Sequence, residues 1–247
     1  MSADDLAVLN PHLEPCSLPK NMYLERQRKP VEFAYFPEEG IASTVAKMRL
    51  GRDAEVGVIG YEGMIGTAIV MTDDRSPHDC YMQLAGRGHR IASAAFTAAL
   101  TESSTLRPFL LRFTLSFSIQ ASYTALVNVR CSLEQRLSRW LLMCHDRVPG
   151  DTITITHEFL SIMLGVRRPG VTTAIHILEG KGLIRATRGN IVVRDRENLI
   201  ALADGGYSEP KAEYERLIGR MSPMRDAEPR SKHVVSSVSA RPTSSLR

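Results

Sequence analysis

The sequence predicts an α+β fold in three parts: an N-terminal jelly-roll β domain, a long helix and a C-terminal winged helix-turn-helix. Three observations lead to this prediction. Residues 18 to about 95 contain short β-prone runs separated by turn signals. From Thr105 onward the apolar residues recur at steps of three and four, which is the period of a helix. Two short helical patterns that meet at Gly165 are then followed by a basic hairpin pattern.

The composition is typical of a globular protein. The chain has 247 residues, of which 43% are hydrophobic and 23% are charged. No stretch approaches the roughly 20 apolar residues that cross a bilayer, and the N-terminus opens with acids rather than with a basic and apolar leader. We therefore expect a cytoplasmic protein without a membrane partner.

The four cysteines are far apart and lack CxxC spacing: Cys16, Cys80, Cys131 and Cys144. This spacing is not that of a disulfide framework, a zinc site or a local iron–sulfur cluster. The sequence predicts no metal site and no cofactor.

Residues 1–104 are assigned to the β domain. Runs such as "VEFAYFPEEG" and "AEVGVIGYEGMIG" combine β-branched and aromatic residues with glycine turns. Short strands at this regular spacing predict a sandwich or a small barrel, and the glycines favour a jelly roll.

Residues 105–131 form a predicted helix with two apolar rows. The first row has heptad spacing: Leu110, Phe113, Phe117, Gln120, Thr124, Val127 and Cys131. The second row lies on another side of the helix: Leu111, Leu115, Ser118, Ser122, Ala125 and Val129. One row can pack on the chain's own β domain and the other on a twin helix, which predicts a homodimer through residues 105–131. Gln120 and Thr124 then resemble register-fixing polar residues in the seam, while the alternative is a monomer in which the helix is wholly buried.

Residues 132–203 carry the signals of a helix-turn-helix. "SLEQ" from Ser132 has the form of a capping box that opens a helix. Thr156 is placed to cap the next helix, "HEFLSIML", which Gly165 ends as a C′ glycine would. Pro169 suits the first turn of the following helix, because proline's missing N–H has no partner there.

The outward side of this last helix has the chemistry of a DNA reader. It presents Arg168, Pro169, Thr172, Thr173 and His176, and the first turns of such a helix enter the major groove. Arginine can bond guanine bidentately, and threonine can contact a base edge or a thymine methyl group.

Charge supports the same interpretation. Residues 165–194 hold six basic residues and one acid, Glu179, whereas the whole chain has a net charge of only +4. "GLIRATRGNIVVRD" predicts two strands around a Gly189-Asn190 turn with Arg188 at its tip. The full predicted DNA-contacting set is Thr156, His157, Arg167, Arg168, Thr172, Thr173, His176, Arg185 and Arg188.

The chain resembles bacterial Crp/Fnr-type transcription regulators, the relatives of the cyclic-AMP receptor protein. The stretches that carry the resemblance are "EQRLSRWLLMCHDRV", "THEFLSIMLGVRRPGVTTAIHILEGKGLIRATRGNIVV", "YFPEEGIAS" and "EVGVIGYEGMIG". The resemblance extends over most of residues 10–203. The resemblance implies a double-stranded β-helix of the cyclic-nucleotide-binding type, a long dimer helix and a DNA-binding domain. It also implies contact with RNA polymerase if the protein is an activator.

The ligand pocket implied by the resemblance is degenerate. Its residues would be Gly66, Thr67, Arg75 and Ser76, with Ser122 and Thr124 from the long helix. Family members that bind cyclic nucleotide have a glutamate where Thr67 stands, and a threonine cannot accept from a ribose diol as a carboxylate does. Arg75 also lies beside two carboxylates. We therefore expect no dependence on cyclic AMP, and the alternative is a cyclic-nucleotide-responsive regulator with an atypical pocket.

Two further expectations complete the analysis. Pro169 and Thr173 replace the glutamate and second arginine of the receptor protein's reading helix, which predicts a different operator. Residues 204–247 are rich in Ser, Pro and Arg and are expected to form a disordered tail with at most one loose helix. Because the sequence contains no HxxxH, GxSxG or Walker pattern, we do not expect an enzyme.

Overall fold

A computed structural model describes residues 1–48 and 53–221 of the chain. The N-terminal part contains seven strands: β1 (Glu14–Leu18), β2 (Tyr23–Glu25), β3 (Phe33–Pro37), β4 (Ile41–Lys47), β5 (Asp53–Ile59), β6 (Asp79–Leu84) and β7 (Gly86–Ala92). It also contains four helices: α1 (Ala3–Leu9), α2 (Thr67–Val70), α3 (Ser93–Glu102) and α4 (Leu106–Arg130).

The strands form two antiparallel sheets that face each other. One has the order β1-β7-β3 and the other β2-β6-β4-β5. The core between them is apolar and fully buried, with Leu18, Met82, Ile91 and Phe96 at most 1% exposed. The strand crossovers and the two packed sheets confirm the predicted jelly-roll domain.

The C-terminal part is built on a second set of elements. The helices are α5 (Leu133–His145), α6 (His157–Met163), α7 (Arg168–Gly180), α8 (Arg196–Leu202) and α9 (Ser208–Leu217). The strands are β8 (Thr152–Thr154), β9 (Ile184–Thr187) and β10 (Asn190–Val193), in the order β8-β10-β9. In the described part of the chain, no helix is both long and apolar enough to cross a membrane.

α4 packs on the β domain through the first of its two predicted rows. Leu110 and Phe113 are buried in the core of the β domain, and the side-chain oxygen of Gln120 accepts from the Val58 N–H at 2.7 Å. A Cβ atom on Gly57 would lie 2.7 Å from that same oxygen, so the glycine permits this close approach. The assignment of Gln120 to a dimer seam is therefore wrong, because its amide is used within the chain.

Nothing in residues 1–48 and 53–221 covers the second row of α4. Leu111, Leu115 and Val129 are exposed, as is the neighbouring Leu126. Ser122 is exposed on the same side and donates to the Ser118 carbonyl oxygen at 2.9 Å. Four large apolar side chains along one helix face are unusual for a surface in contact with water.

The β domain and the C-terminal domain share one apolar core. Ile41, Val45 and Val58 of the β domain join Trp140 and Leu141 of α5 in it. The ring of Tyr81 on β6 also packs edge-on against Phe159 on α6, with 6.3 Å between their centroids. The C-terminal domain is thus held against the β domain by apolar burial.

Residues 204–221 correct the expectation of a disordered tail. α9 packs along α4, and the Tyr214 hydroxyl donates to the Glu62 carbonyl oxygen at 2.8 Å. Burial raises the pKa of Tyr214 above its ordinary value, as expected for a phenol held between elements. The helix is stable because α4 supplies the apolar partner that its own sequence lacks. Residues 222–247 lie outside the described residues.

Candidate nucleic-acid interface

The turn between α6 and α7 has the predicted geometry. The Thr156 hydroxyl caps α6 by accepting from the Phe159 N–H at 3.2 Å. Gly165 follows the last residues of α6 with φ at +62°, which is the left-handed conformation that favours glycine at a helix C′ position. The Arg136 guanidinium donates to the carbonyl oxygen of Leu164 and so ties the turn to α5.

α7 places its apolar side inward and its polar side outward. Val171, Ala174, Ile175 and Leu178 are at most 1% exposed and pack in the shared core. Arg168, Pro169, Thr173 and His176 are exposed, and Thr172 is half-buried. Pro169 lies in the first helical turn, as its missing N–H predicts.

The two threonines of α7 use their protons on the protein itself. Thr172 Oγ1 donates to the Arg168 carbonyl oxygen at 3.3 Å, and Thr173 Oγ1 donates to that of Pro169 at 3.1 Å. His157 Nδ1 lies 3.2 Å from Thr172 Oγ1, so the first turns of α6 and α7 are linked. Because a hydroxyl has one proton, both threonines present acceptor lone pairs and methyl groups to a ligand.

The hairpin after α7 forms the wing, with one correction to its turn. Thr187 pairs with Asn190, so the two turn residues are Arg188 and Gly189 rather than Gly189 and Asn190. The left-handed φ of +80° belongs to Gly189 in the second turn position, which fixes this register. Arg188 is exposed at the tip, and Arg185 is exposed on β9.

A contact that was not predicted above joins α7 to the wing. Glu179 Oε1 accepts a hydrogen bond from the Ala186 N–H at 2.7 Å. The only acid of residues 165–194 is thereby bonded to β9. The sequence did contain a signal, since a single carboxylate in a basic segment calls for a structural partner.

The structure brings five of the predicted DNA-contacting residues to one open groove between α7 and the wing: Thr156, His157, Arg168, His176 and Arg188. Arg167, Thr172, Thr173 and Arg185 do not line this groove. Arg167, Thr173 and Arg185 are exposed beside it and Thr172 is half-buried. The groove with its exposed arginines therefore presents positive charge on the same side as the outward face of α7.

The predicted ligand residues are only partly brought together. Gly66, Thr67 and Ser76 line one pocket of the β domain. Arg75 does not, because its side chain is 65% exposed and its Nε lies 3.5 Å from Asp74.

The remaining two predicted ligand residues, Ser122 and Thr124, do not line this pocket. Each donates its hydroxyl proton to a carbonyl oxygen of α4 itself. Among the described residues, no group of three His, Cys, Asp or Glu side chains is placed to hold a metal ion.

A carboxylate of the protein occupies part of this pocket. Ser76 Oγ lies 2.9 Å from Glu25 Oε2 and 2.8 Å from the His78 carbonyl oxygen, and the Gly66 backbone also bonds the Glu25 carboxyl group. Burial raises the pKa of Glu25 above its ordinary value. The polar groups that would meet an anionic ligand are therefore already bonded to a side chain.

Comparisons with known proteins agree with this geometry. Residues 135–202 match the Crp-like helix-turn-helix domain family. The chain is similar to the solved structure of FixK2 from Bradyrhizobium japonicum, with 16% identity and a TM-score of 0.66 over 77% of this chain and 96% of that one. A Crp/Fnr-family transcriptional regulator from Thermus thermophilus shares 19% identity and a TM-score of 0.62, over 77% of this chain and 98% of that one.

A third similar structure is that of the c-di-GMP responsive global regulator CLP from Xanthomonas campestris. It shares 16% identity and a TM-score of 0.58, over 78% of this chain and 99% of that one. The search of curated proteins finds no match. Residues 135–202 are therefore a Crp-like helix-turn-helix domain, and the chain has the fold of Crp/Fnr-type transcription regulators.

Proposed function

We propose that the protein is a sequence-specific transcription regulator that binds a roughly palindromic DNA site as a homodimer, without cyclic AMP. The observation that carries the proposal is the outward face of α7 beside the wing, where Arg168, His176 and Arg188 line one groove. A helix presented in this way fits the major groove, and a basic wing fits the adjacent phosphates. RNA polymerase is the expected further partner if the protein activates transcription.

The contacts divide by chemistry. Arg168, Thr172, Thr173 and His176 meet base edges, because they lie on the outward face of the first turns of α7. Arg167, Arg185 and Arg188 hold phosphates and make the affinity depend on salt. Thr156 and His157, at the start of α6, contact the DNA phosphate backbone, because the N–H groups of a helix start favour an anion.

The exposed apolar row of α4 supports the homodimer. A twin helix covering Leu111, Leu115, Leu126 and Val129 would bury four large side chains that are 42% to 81% exposed in one chain. Two reading helices related by a twofold axis would then meet successive major grooves about 34 Å apart.

The Glu25 carboxyl group supports independence from cyclic AMP. A cyclic phosphate placed at Ser76 and Gly66 would displace or face this carboxyl group, and Arg75 does not line the pocket. The alternative is a nucleotide-responsive regulator with an atypical pocket, which is favoured by the fact that Gly66, Thr67 and Ser76 line a common cavity. Calorimetry with cyclic AMP, cyclic GMP and cyclic di-GMP distinguishes the two, since binding of any of them by the purified protein supports the alternative.

Genome-wide mapping of occupied DNA sites tests the main proposal. The expected result is a recurring motif with two inverted half-sites whose centres are about one helical turn apart. Occupancy without a shared motif would contradict sequence-specific binding. A shared motif without inverted symmetry would contradict the homodimer.

A further inference from the structure

Glu55 lies on β5 at the boundary between the β domain and the DNA-binding domain. The residue is 4% exposed. Its Oε1 accepts a hydrogen bond from the indole Nε1–H of Trp140 on α5 at 2.8 Å. A buried hydrogen bond thus joins the sheet of one domain to the first helix of the other.

The neighbouring Ser43 indicates where a proton must lie. Its Oγ is 2.7 Å from Glu55 Oε2 and also 2.7 Å from Gln83 Oε1. In the structure the Gln83 carbonyl oxygen faces Ser43, and the Gln83 amide nitrogen lies 4.0 Å from Cys144 Sγ. Because a hydroxyl has one proton, Ser43 cannot donate to both oxygens. Both contacts are hydrogen bonds only if neutral Glu55 donates to Ser43 and Ser43 donates to Gln83.

The two cations that act on Glu55 are engaged with other groups. Arg139 donates to two backbone carbonyl oxygens, at 2.8 and 3.1 Å. Arg147 forms a buried ion pair with Glu62, with 2.6 Å between Nη2 and Oε1. Within the part of the chain that the structure describes, an ionised Glu55 would therefore be a buried charge without a directly bonded cation, which is costly.

Among the described residues, the other elements around Glu55 add no bonded partner charge. Lys47 of β4 pairs with Asp79 at 2.6 Å, and α4 faces β5 with Gln120. On α6, His157 lines the groove between α7 and the wing, and Glu158 is exposed. The remaining titratable neighbours are Cys80, Tyr81 and Cys144. Burial raises the pKa of Glu55 to about 7.

We propose that Glu55 is a proton-operated latch between the β domain and the DNA-binding domain. The closed state, with neutral Glu55, is the one that binds DNA, so DNA affinity falls as the pH rises. Neutral Glu55 completes the chain from Ser43 to Gln83 and holds Trp140. Ionised Glu55 has no proton to donate to Ser43. The single Ser43 proton then serves only one of its two contacts, with Glu55 or with Gln83, and at the other contact two acceptor oxygens face each other. The domain interface opens to hydrate the charge. The DNA part of this inference rests on the proposed function.

The direction of the effect follows from proton linkage. In the open state the carboxyl group is hydrated and has its ordinary pKa of 4.5, whereas in the closed state its pKa is about 7. The closed state therefore binds more protons between these values. Its stability falls as the pH rises through this interval and levels off above it. From about pH 6 to about pH 8 the opening equilibrium rises by up to about tenfold.

The chain contains a built-in probe of this contact, because Trp140 is its only tryptophan. The experiment is a fluorescence titration of the full-length protein from about pH 5 to about pH 9. The wild type is expected to show a transition with a midpoint near 7. Glu55→Gln should lack it, because the amide stays neutral and can donate to Ser43. The same transition in Glu55→Gln would overturn the proposal, since the histidines and Tyr81 remain in that variant.

Ser43→Ala gives a second and independent test. If neutral Glu55 donates to Ser43, removing the acceptor destabilises the neutral form and shifts the fluorescence midpoint to lower pH. If Ser43 instead donates to an ionised carboxylate, the midpoint shifts to higher pH, and that result would contradict the latch.

DNA affinity provides the functional measurement. The ratio of the wild-type Kd to the Glu55→Gln Kd should rise with pH, by up to about tenfold between about pH 6 and about pH 8. A ratio that is constant across this range would overturn the link to DNA binding. If neither protein binds DNA at any pH, the proposed function fails, whereas the fluorescence titration still decides on the latch without DNA.

Discussion

The carboxylate of Glu179 accepts a hydrogen bond from the backbone N–H of Ala186 at 2.7 Å. This bond joins the last turns of α7 to the first strand of the wing. It ties α7, with its proposed base-contacting side chains, to the hairpin that carries Arg188 at its tip. The orientation of the wing thus depends on a residue that is itself unsuited to contact DNA.

Replacing Glu179 should separate its charge from its structural role. Glu179→Gln keeps an acceptor oxygen and removes a negative charge near DNA, so it should bind DNA at least as tightly as the wild type. Glu179→Ala loses the anchor, which is worth about 1 kcal/mol or roughly fivefold in affinity. Fluorescence anisotropy with a labelled operator measures both. Equal affinities for the two variants would show that the anchor has no effect on DNA binding.

Replacing Arg168 or Arg188 by alanine should change DNA binding in different ways. Arg168→Ala should cost about 1 to 3 kcal/mol and relax the preference at one base position. Arg188→Ala should weaken binding to all sequences and reduce the slope of log K against log salt by about one. Competition binding with a library of single-base operator variants, at several salt concentrations, provides the comparison. A uniform loss for Arg168→Ala would make Arg168 a phosphate anchor.

Gly165 should be the glycine of the helix-turn-helix that does not tolerate a side chain. Its φ of +62° is left-handed, a conformation that costs an alanine about 1 to 2 kcal/mol. Gly180 ends α7, and a Cβ there would meet nothing within 4 Å, so Gly180→Ala is the matched control. We expect Gly165→Ala to lower the Tm by about 2 to 8 °C and Gly180→Ala to leave it unchanged or raise it. Thermal denaturation followed by circular dichroism measures both, and equal shifts would contradict the argument.

The features that the sequence predicted are those set by local chemistry. Gly165, Pro169 and the Thr156 cap each act within one helical turn, so their neighbours in sequence determine their structure. The wing turn was misplaced by one residue, because Gly189 and Asn190 both tolerate a left-handed φ. Only the pairing of Thr187 with Asn190 decides between them.

The features that the sequence did not predict are set by contacts between distant residues. Glu25 and Ser76 are 51 residues apart, and Glu55 and Trp140 are 85 residues apart. A heptad row also does not say which surface covers it, so Gln120 was assigned to a seam between chains when it bonds Val58. The order of α9 was underestimated for the same reason. This helix is stabilised by packing on α4, and its own apolar spacing does not reveal that partner.

Leu115 should be essential to the proposed homodimer and dispensable for the fold of one chain. Its side chain is 49% exposed in the middle of the apolar row of α4, so an aspartate there stays hydrated in a monomer. In a dimer the same aspartate would be buried against its twin without a cation, which is strongly unfavourable. We expect Leu115→Asp to elute as a monomer in size-exclusion chromatography with light scattering. Its affinity for the full palindrome should fall much more than its affinity for a half-site.

Asn128→Asp is the control for this substitution. It adds the same charge to an exposed position of α4 that lies off the apolar row, so it should leave the dimer intact. If Leu115→Asp remains a dimer at concentrations where the wild type does, the twofold axis does not lie along this row. Two copies of the chain would then have to dimerise through another surface in order to bind the palindrome. Leu111, Leu126 and Val129 would need a different partner.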